Sequence, residues 1–416
     1  MDTTTEQEEK KPGKMPVIRL GLFAVALSFF LGMYYQDIID WLAAGEKPPT
    51  ALRIGAVKDG QQVQTDCFSV RLFQYYLKKE PVGNLTVVPH AVTACLTELK
   101  KHTTPELAEA FTPLQLSEKQ ARSAAAIFEG SFLFSNAADT LDTAATGRVH
   151  PTEFSGDLAL AHQSINGLVN YYTGGAIERM FSGSSAPRST RLLAAAVHGF
   201  TADWYYPIYA RHTEQDFFRN ADATRSKVPF LKAEGNFRVV QDPQGKWKAV
   251  AMFMRNTPQG DHAGHDSCAL ILILPQEELP LSARPLATEL TTEDFNAIRT
   301  ALAKAEETAA TIKLPRLSGR EYRLDMFPSL QAMGLGGLIQ RDAAPFPKLS
   351  KTTPFPLDGF YQQCSATWEE SPDTAVMPAP FNGSATTLEF KRPFIWMLCP
   401  LTTPEPPYLM GVVEYM

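Results

Sequence analysis

The segment 268–275 reads CALILILP, a run without a charged or amide side chain. Apolar residues at every position, not at alternate ones, describe a strand buried on both faces. Such a strand needs cover above and below, so the chain must build more than one layer around it. Other strand-like runs lie at 84–88, 191–204, 248–255, 311–315, 388–398 and 408–416. Helical spacing appears in 67–79, through Phe68, Val70, Leu72, Phe73, Tyr76 and Leu77, and Pro81 and Gly83 close it. It recurs in 91–101, in 165–181 with an interruption at Thr173-Gly174-Gly175, and in 324–333. Helices therefore cluster early and strands late. The fold class is α+β, with one large mixed β-sheet system taking up most of the chain.

With 44% hydrophobic residues in 416, the chain has ample material for a large core. The net charge of -6, with basic residues dispersed among acidic ones, excludes nucleic acid as the main partner. Cys67, Cys95, Cys268, Cys364 and Cys399 are odd in number, far apart and without a CxxC pair. They read as small core residues and not as a disulfide framework or zinc site.

The N-terminus has its own organisation. Residues 20–35, LGLFAVALSFFLGMYY, carry no charge, and with their apolar flanks approach the roughly 20 residues that cross a bilayer. Lys10, Lys11, Lys14 and Arg19 precede the run; Asp37, Asp40 and Glu46 come after it. The basic side stays in the cytoplasm. The expected organisation is a cytoplasmic disordered tail at 1–19, a single transmembrane signal anchor at 20–38, a linker at 39–50 and an extracytoplasmic (periplasmic or extracellular) domain at 51–416. The competing reading is a cleaved signal peptide with a late site at Ala43-Ala44-Gly45, which makes the protein secreted.

No GxSxG, HExxH, P-loop or GxGxxG motif is present, so an enzyme is not expected. The stretch DHAGHDSC at 261–268 gathers His262, His265, Asp266 and Cys268, but its spacing fits no established metal site and it reads as a polar hairpin loop. No cofactor or metal is expected. Glu321 and Asp325 beside Arg320 and Arg323 read as a solvated helix start. Asn84-Leu85-Thr86 and Asn382-Gly383-Ser384 are glycosylation sequons if the source is eukaryotic, the first of them on a buried strand.

Several segments resemble those of the serpin family, in serpin order. NLTVVPHAV at 84–92 resembles the turn opening the family's second helix, and INGLVNYYTGGAIERMF at 165–181 resembles a later helix. Phe200 and Trp204 match the strand ending in Phe-Lys-Gly-x-Trp. Thr213, Phe217 and Val228-Pro229 fit the family's next segment, and LILILPQ at 270–276 and IKLPRL at 312–317 fit two later strands. LEFKRPFIWML at 388–398 resembles the C-terminal signature, departing at Lys391 where Asp, Asn or Gln is usual, and YLMGVV at 408–413 resembles the last strand. The stretch 103–165 is shorter than in typical serpins, so a helix on the flank of the main sheet is expected to be reduced or absent.

The resemblance implies a serine-type endopeptidase inhibitor lineage. Serpins act as suicide substrates: an exposed reactive loop is cut and then inserts as a new central strand of the main sheet, a stored-strain switch. Here the loop falls at about 369–392, with its hinge at Glu369, Glu370, Ser371, Pro372, Asp373, Thr374 and Ala375. The scissile region falls at Phe381, Asn382, Gly383, Ser384 and Ala385. None of these is Lys or Arg, so the expected partners are serine or cysteine proteases that are not trypsin-like, or another protein that binds the loop. Pro372, Pro378 and Pro380 oppose insertion, because proline donates no ladder hydrogen bond. By motif alignment the polar cluster under the family's sheet is replaced by Val88, Ala91, Ala196 and Tyr361. Loop insertion is therefore expected to be impaired. The alternative is a non-inhibitory binding or structural protein that displays a static loop.

Overall fold

The computed structural model describes residues 68–114, 116, 127–136, 149–182, 190–255, 268–276, 281–340, 345–349, 356–378, 381, 383, 386–401 and 406–416. The expected anchor at 20–38, its flanks and the polar stretch 261–267 lie outside them. Among the described residues no helix is long and apolar enough to cross a membrane.

In chain order the elements are α1 (Phe68–Lys79), β1 (Leu85–Val87), α2 (Pro89–His102), α3 (Pro105–Glu109), β2 (Ile127–Asn136), β3 (Val149–Thr152), α4 (Leu158–Tyr172) and β4 (Leu192–Thr201). A strand-rich middle comes next: β5 (Glu214–Arg219), β6 (Arg225–Gln241), β7 (Trp247–Phe253) and β8 (Cys268–Pro275). Then come α5 (Arg284–Glu289), α6 (Thr292–Lys304), β9 (Glu307–Pro315), β10 (Leu317–Asp325) and α7 (Phe327–Ala332). The chain closes with β11 (Gly359–Trp368), β12 (Thr386–Glu389), β13 (Phe394–Pro400) and β14 (Leu409–Val413).

Among the described residues the strands form a nine-stranded sheet, running β1-β14-β13-β8-β7-β6-β9-β12 with β5 paired to β6, and a five-stranded sheet, β10-β11-β4-β2-β3. Strand β8 is buried at every position and lies between β7 and β13, as its unbroken apolar run requires. The two sheets share one core, where Trp368 of β11 meets Trp396 of β13 edge-on at 5.2 Å. The α+β class holds, but α5 and α6 lie in the later half, so the helices are less confined to the start than the sequence suggests. Helix α6 opens on a capping box: Thr291 accepts from the Asp294 backbone, and Asp294 accepts from that of Thr291.

Two segments correct the sequence reading. The helix expected over 324–333 begins only at Phe327, and Leu324 and Asp325 end strand β10. In β10 Tyr322 and Leu324 pack against the core while Glu321, Arg323 and Asp325 stand exposed, a period of two. The charges at 320–325 thus line an outer strand and not a helix start. The helix expected over 165–181 begins earlier, at Leu158, and ends at Tyr172. Beyond the Thr173-Gly174-Gly175 turn the chain is held without a helix, because Asn166 Oδ1 accepts from Met180 N (2.8 Å) and Phe181 N (2.9 Å). In the shortened stretch the described residues hold a five-residue helix, α3, and one 3-10 turn before β2.

Cys95, Cys268, Cys364 and Cys399 are free and buried, as core residues; Cys67 lies outside the described residues. Asn84 of the first sequon is fully engaged. Its Oδ1 accepts from Glu414 N (2.6 Å) and Tyr415 N (2.8 Å), and its Nδ2 donates to Tyr415 O (2.7 Å). A glycan on that amide is incompatible with the docked C-terminus.

Candidate reactive loop

The five-stranded sheet has a seam at its centre. Strands β4 and β11 pair in parallel without interruption, from Gly359↔Leu193 to Thr367↔Thr201. An inserting loop would enter here, and the seam is closed. Gly199 lets this layer pack tightly: a Cβ there would lie 2.7 Å from Thr173 O, at the end of α4. Strand β11 ends on Trp368, whose Nε1 donates to Pro315 O at 2.8 Å.

The predicted hinge comes directly after Trp368, and it is tied down. Glu369 O accepts from Trp204 Nε1 at 2.8 Å. The Glu370 carboxylate pairs with the Arg316 guanidinium and accepts from Thr213 Oγ1 at 2.8 Å. Burial pushes the Glu370 carboxyl up, but Arg316 and Thr213 outweigh it and hold the group below its ordinary range. Ser371 is buried; its N donates to Ile208 O at 2.8 Å and its Oγ accepts from Ile208 N at 3.0 Å. Pro372 O then accepts from Ala375 N at 2.9 Å, closing a turn, and Ala375 O accepts from Tyr209 OH at 3.2 Å. Asp373 and Thr374 project from that turn into solvent. The hinge is thus laid along 204–213, the segment that leaves β4.

Past the hinge Val376 is 77% exposed, while Met377 packs against the core. In the scissile region Phe381 is half-buried and Gly383 is exposed at φ 87°, a left-handed conformation that glycine adopts without strain. Asn382, Ser384, Ala385 and Pro380 lie outside the described residues. The chain is caught again at β12, paired in parallel with β9 from Thr386↔Ala310 to Glu389↔Lys313. Lys391, unusual at its position, is explained here. Its Nζ lies 2.9 Å from Asp216 and 3.1 Å from Glu389, and the Asp216 carboxylate raises its pKa.

The polar cluster under the sheet needs a correction. Val88, Ala91 and Ala196 share the core beneath it, but Tyr361 belongs to a separate cluster with Phe181, under the Arg323 guanidinium. The residue beside Ala196 on β11 is Gln362, one position on. Its Oε1 accepts from Val88 N at 3.0 Å and its Nε2 donates to Thr86 O at 2.9 Å. A polar tie therefore joins β11 to the junction of β1 and α2, one residue on from the position that motif alignment gives. Replacing Gln362 with Leu strands two buried backbone groups and is expected to cost about 2 kcal/mol or more in denaturant unfolding.

The residues 117–414 match the family model Serpin (serine protease inhibitor). The chain belongs to the serpin family. Serpins are protease inhibitors by family and not enzymes. A rice (Oryza sativa subsp. japonica) protein named "Putative non-inhibitory serpin-10" is 22% identical over 271 residues, 63% of this chain and 67% of its own. A crystal structure of maspin superposes with a TM-score of 0.72 at 18% identity, covering 84% of this serpin and 97% of maspin. Uncleaved ovalbumin gives 0.71 at 15% identity, covering 85% and 98%. At these identities the two structures establish the serpin fold alone.

The sequence places the hinge in one segment, and Glu369, Glu370, Ser371 and Ala375 each engage the body of this serpin. It does not identify their partners Trp204, Ile208, Tyr209, Thr213 and Arg316. Of these, Trp204 and Thr213 match the family only as positions, with no role in the loop. No spacing in the sequence signals these contacts, because they join separate segments, 54 residues apart for Arg316–Glu370 and 165 for Trp204–Glu369.

Proposed function

We propose that this serpin displays its loop as a fixed recognition element and does not trap proteases by insertion. The observation that carries this reading is the hinge tied to 204–213 and Arg316. Insertion as a central strand requires breaking the Glu370–Arg316 pair, the Ser371–Ile208 and Trp204–Glu369 hydrogen bonds, and the turn at Pro372. It then places prolines where the ladder needs donors. The inhibitory lineage remains the source of the loop, and the non-inhibitory name of the rice relative supports the same reading.

The test is incubation with a panel of chymotrypsin-like, elastase-like, trypsin-like and papain-like proteases. The expected outcome is clean cleavage or simple binding with no complex that survives denaturing electrophoresis. A denaturation-resistant complex with any member overturns the reading. Where cutting occurs, the side chains of the scissile region favour aromatic-preferring or small-residue-preferring enzymes over trypsin-like ones.

The charge asymmetry around residues 20–38 supports display outside a membrane. Protease added to intact cells or spheroplasts is expected to degrade the serpin domain. Protection until lysis rules that topology out, and a soluble chain beginning near Gly45 means that the leader is cleaved.

A further inference from the structure

Helix α4 packs on the five-stranded sheet through Ala161, Ile165 and Val169, and its opposite face is exposed. A helix face turned to water ordinarily carries charges. This one carries none: the helix, LALAHQSINGLVNYY, holds no Asp, Glu, Lys or Arg. The other helices of similar length, α1, α2 and α6, each hold at least three. Leu160, Ser164, Gly167 and Tyr171 run along the middle of the exposed face. Their spacings of four, three and four set them in one stripe. Leu160 is 59% exposed and Tyr171 79%.

The glycine in this stripe has no use within the fold. A Cβ on Gly167 would meet nothing within 4 Å among the described residues. Glycine inside a helix costs stability relative to alanine, and what it permits in return is the close approach of another backbone. At the C-terminal end of the stripe the large side chains are already set in place. Tyr171 meets Tyr172 edge-on at 5.4 Å, and Tyr172 meets Phe132 at 5.1 Å. That support limits the freedom that docking would take away. Phe128, exposed beside Gly174, enlarges the apolar area at this end.

The stripe reads large, small, small, large, and its spacing is the same from either end. Such a pattern matches itself when two copies lie antiparallel about a two-fold axis between Ser164 and Gly167. Leu160 of each copy then meets Tyr171 of the other, and Ser164 meets Gly167 where the backbones come closest. A two-fold contact also brings residues beside the axis near their own copies, where like charges would repel. The uncharged face removes that repulsion, and it offers no handle to a highly charged partner. We propose that α4 is a self-association face, on which a second copy of this chain docks helix against helix. The pairing is independent of whether the loop inserts. One helix pair lies at the low end of interface size, so the association is weak and reversible.

Cysteine crosslinking of the full chain tests this. In the antiparallel pair Leu160 lies opposite Tyr171. The two copies of Leu160, or of Tyr171, lie about 16 Å apart along the helix axes, beyond the Cα separation of roughly 7 Å that a disulfide spans. Both side chains are exposed, so neither substitution disturbs the core. Under mild oxidation, mixed Leu160→Cys and Tyr171→Cys chains are expected to give at least tenfold more disulfide-linked dimer than either variant alone, after subtraction of the dimer that wild type gives. Adding Gly167→Glu to both chains puts two carboxylates beside the axis and is expected to lower that yield at least tenfold. Equal yields from the mixture and from the single variants overturn the proposal, whether they come from parallel pairing or from chance collision. So does a mixture that gives no dimer above wild type, which leaves the face to a partner of another kind. A yield that survives Gly167→Glu overturns it as well.

Discussion

Cutting the loop once, between Phe381 and Thr386, is expected to leave the thermal midpoint of this serpin within about three degrees of the intact value. A loop that entered the β4–β11 seam would gain ladder hydrogen bonds on both sides, each worth about 1 kcal/mol net. Over a strand's length that raises the midpoint by roughly ten degrees or more, even for a domain of this size. The seam is zipped from Gly359 to Thr367, and the hinge that would have to lead the way is spent on Trp204, Ile208, Thr213 and Arg316. Replacing Pro372, Pro378 and Pro380 by alanine is expected to restore little alone. Adding Glu370→Ala, which releases the Arg316 tie, should bring a larger part of the rise. A rise of ten degrees in the unmodified cleaved protein would show that the ties yield and that the loop is not static.

Replacing Glu129, on β2, by Gln is expected to cost about 3 kcal/mol at neutral pH. Burial raises its carboxyl, but His198 and His90 outweigh that, and it titrates at about 2 in the folded state against 4.5 ordinarily. The sign comes from the depressed value. The stabilisation is complete above pH 4.5 and is lost as pH falls toward 2. Wild type and Glu129→Gln should therefore differ by roughly five degrees in midpoint near pH 7. The two curves should converge below pH 4.5. A gap that stays constant down to pH 3 would mean that the carboxylate acts through packing and not through its charge.

What the sequence discloses depends on whether a signal is local. Strand β8 is legible because an unbroken apolar run admits one placement, between two strands and under cover on both faces. Strand β10 escapes because Arg320, Glu321, Arg323 and Asp325 stand out as charges, while Leu324, which alternates with Tyr322 along the strand, is absorbed into the helical pattern over 324–333. Tyr361 passes for the residue under the sheet because a motif fixes a strand's position to within a residue but not its parity. A shift of one turns the side chain to the other face; Gln362 holds the inner place. The hinge is found as a segment, yet its ties are invisible, since Trp204, Ile208, Tyr209, Thr213 and Arg316 come from other parts of the chain.

The way the chain is caught on both sides of the scissile region governs how damage to it would be noticed. Upstream it is fastened at Glu369 to Ala375, downstream at β12. The residues beyond a cut carry β13 and β14, which are buried throughout, with β13 hydrogen-bonded to β8 and β14 to β1. A nicked molecule therefore keeps its C-terminal peptide as a bound subunit. It should elute from a sizing column with the intact protein and retain the epitopes of its folded surface. Only denaturant should free the short C-terminal piece, so an unbroken native profile is no evidence of an uncut loop.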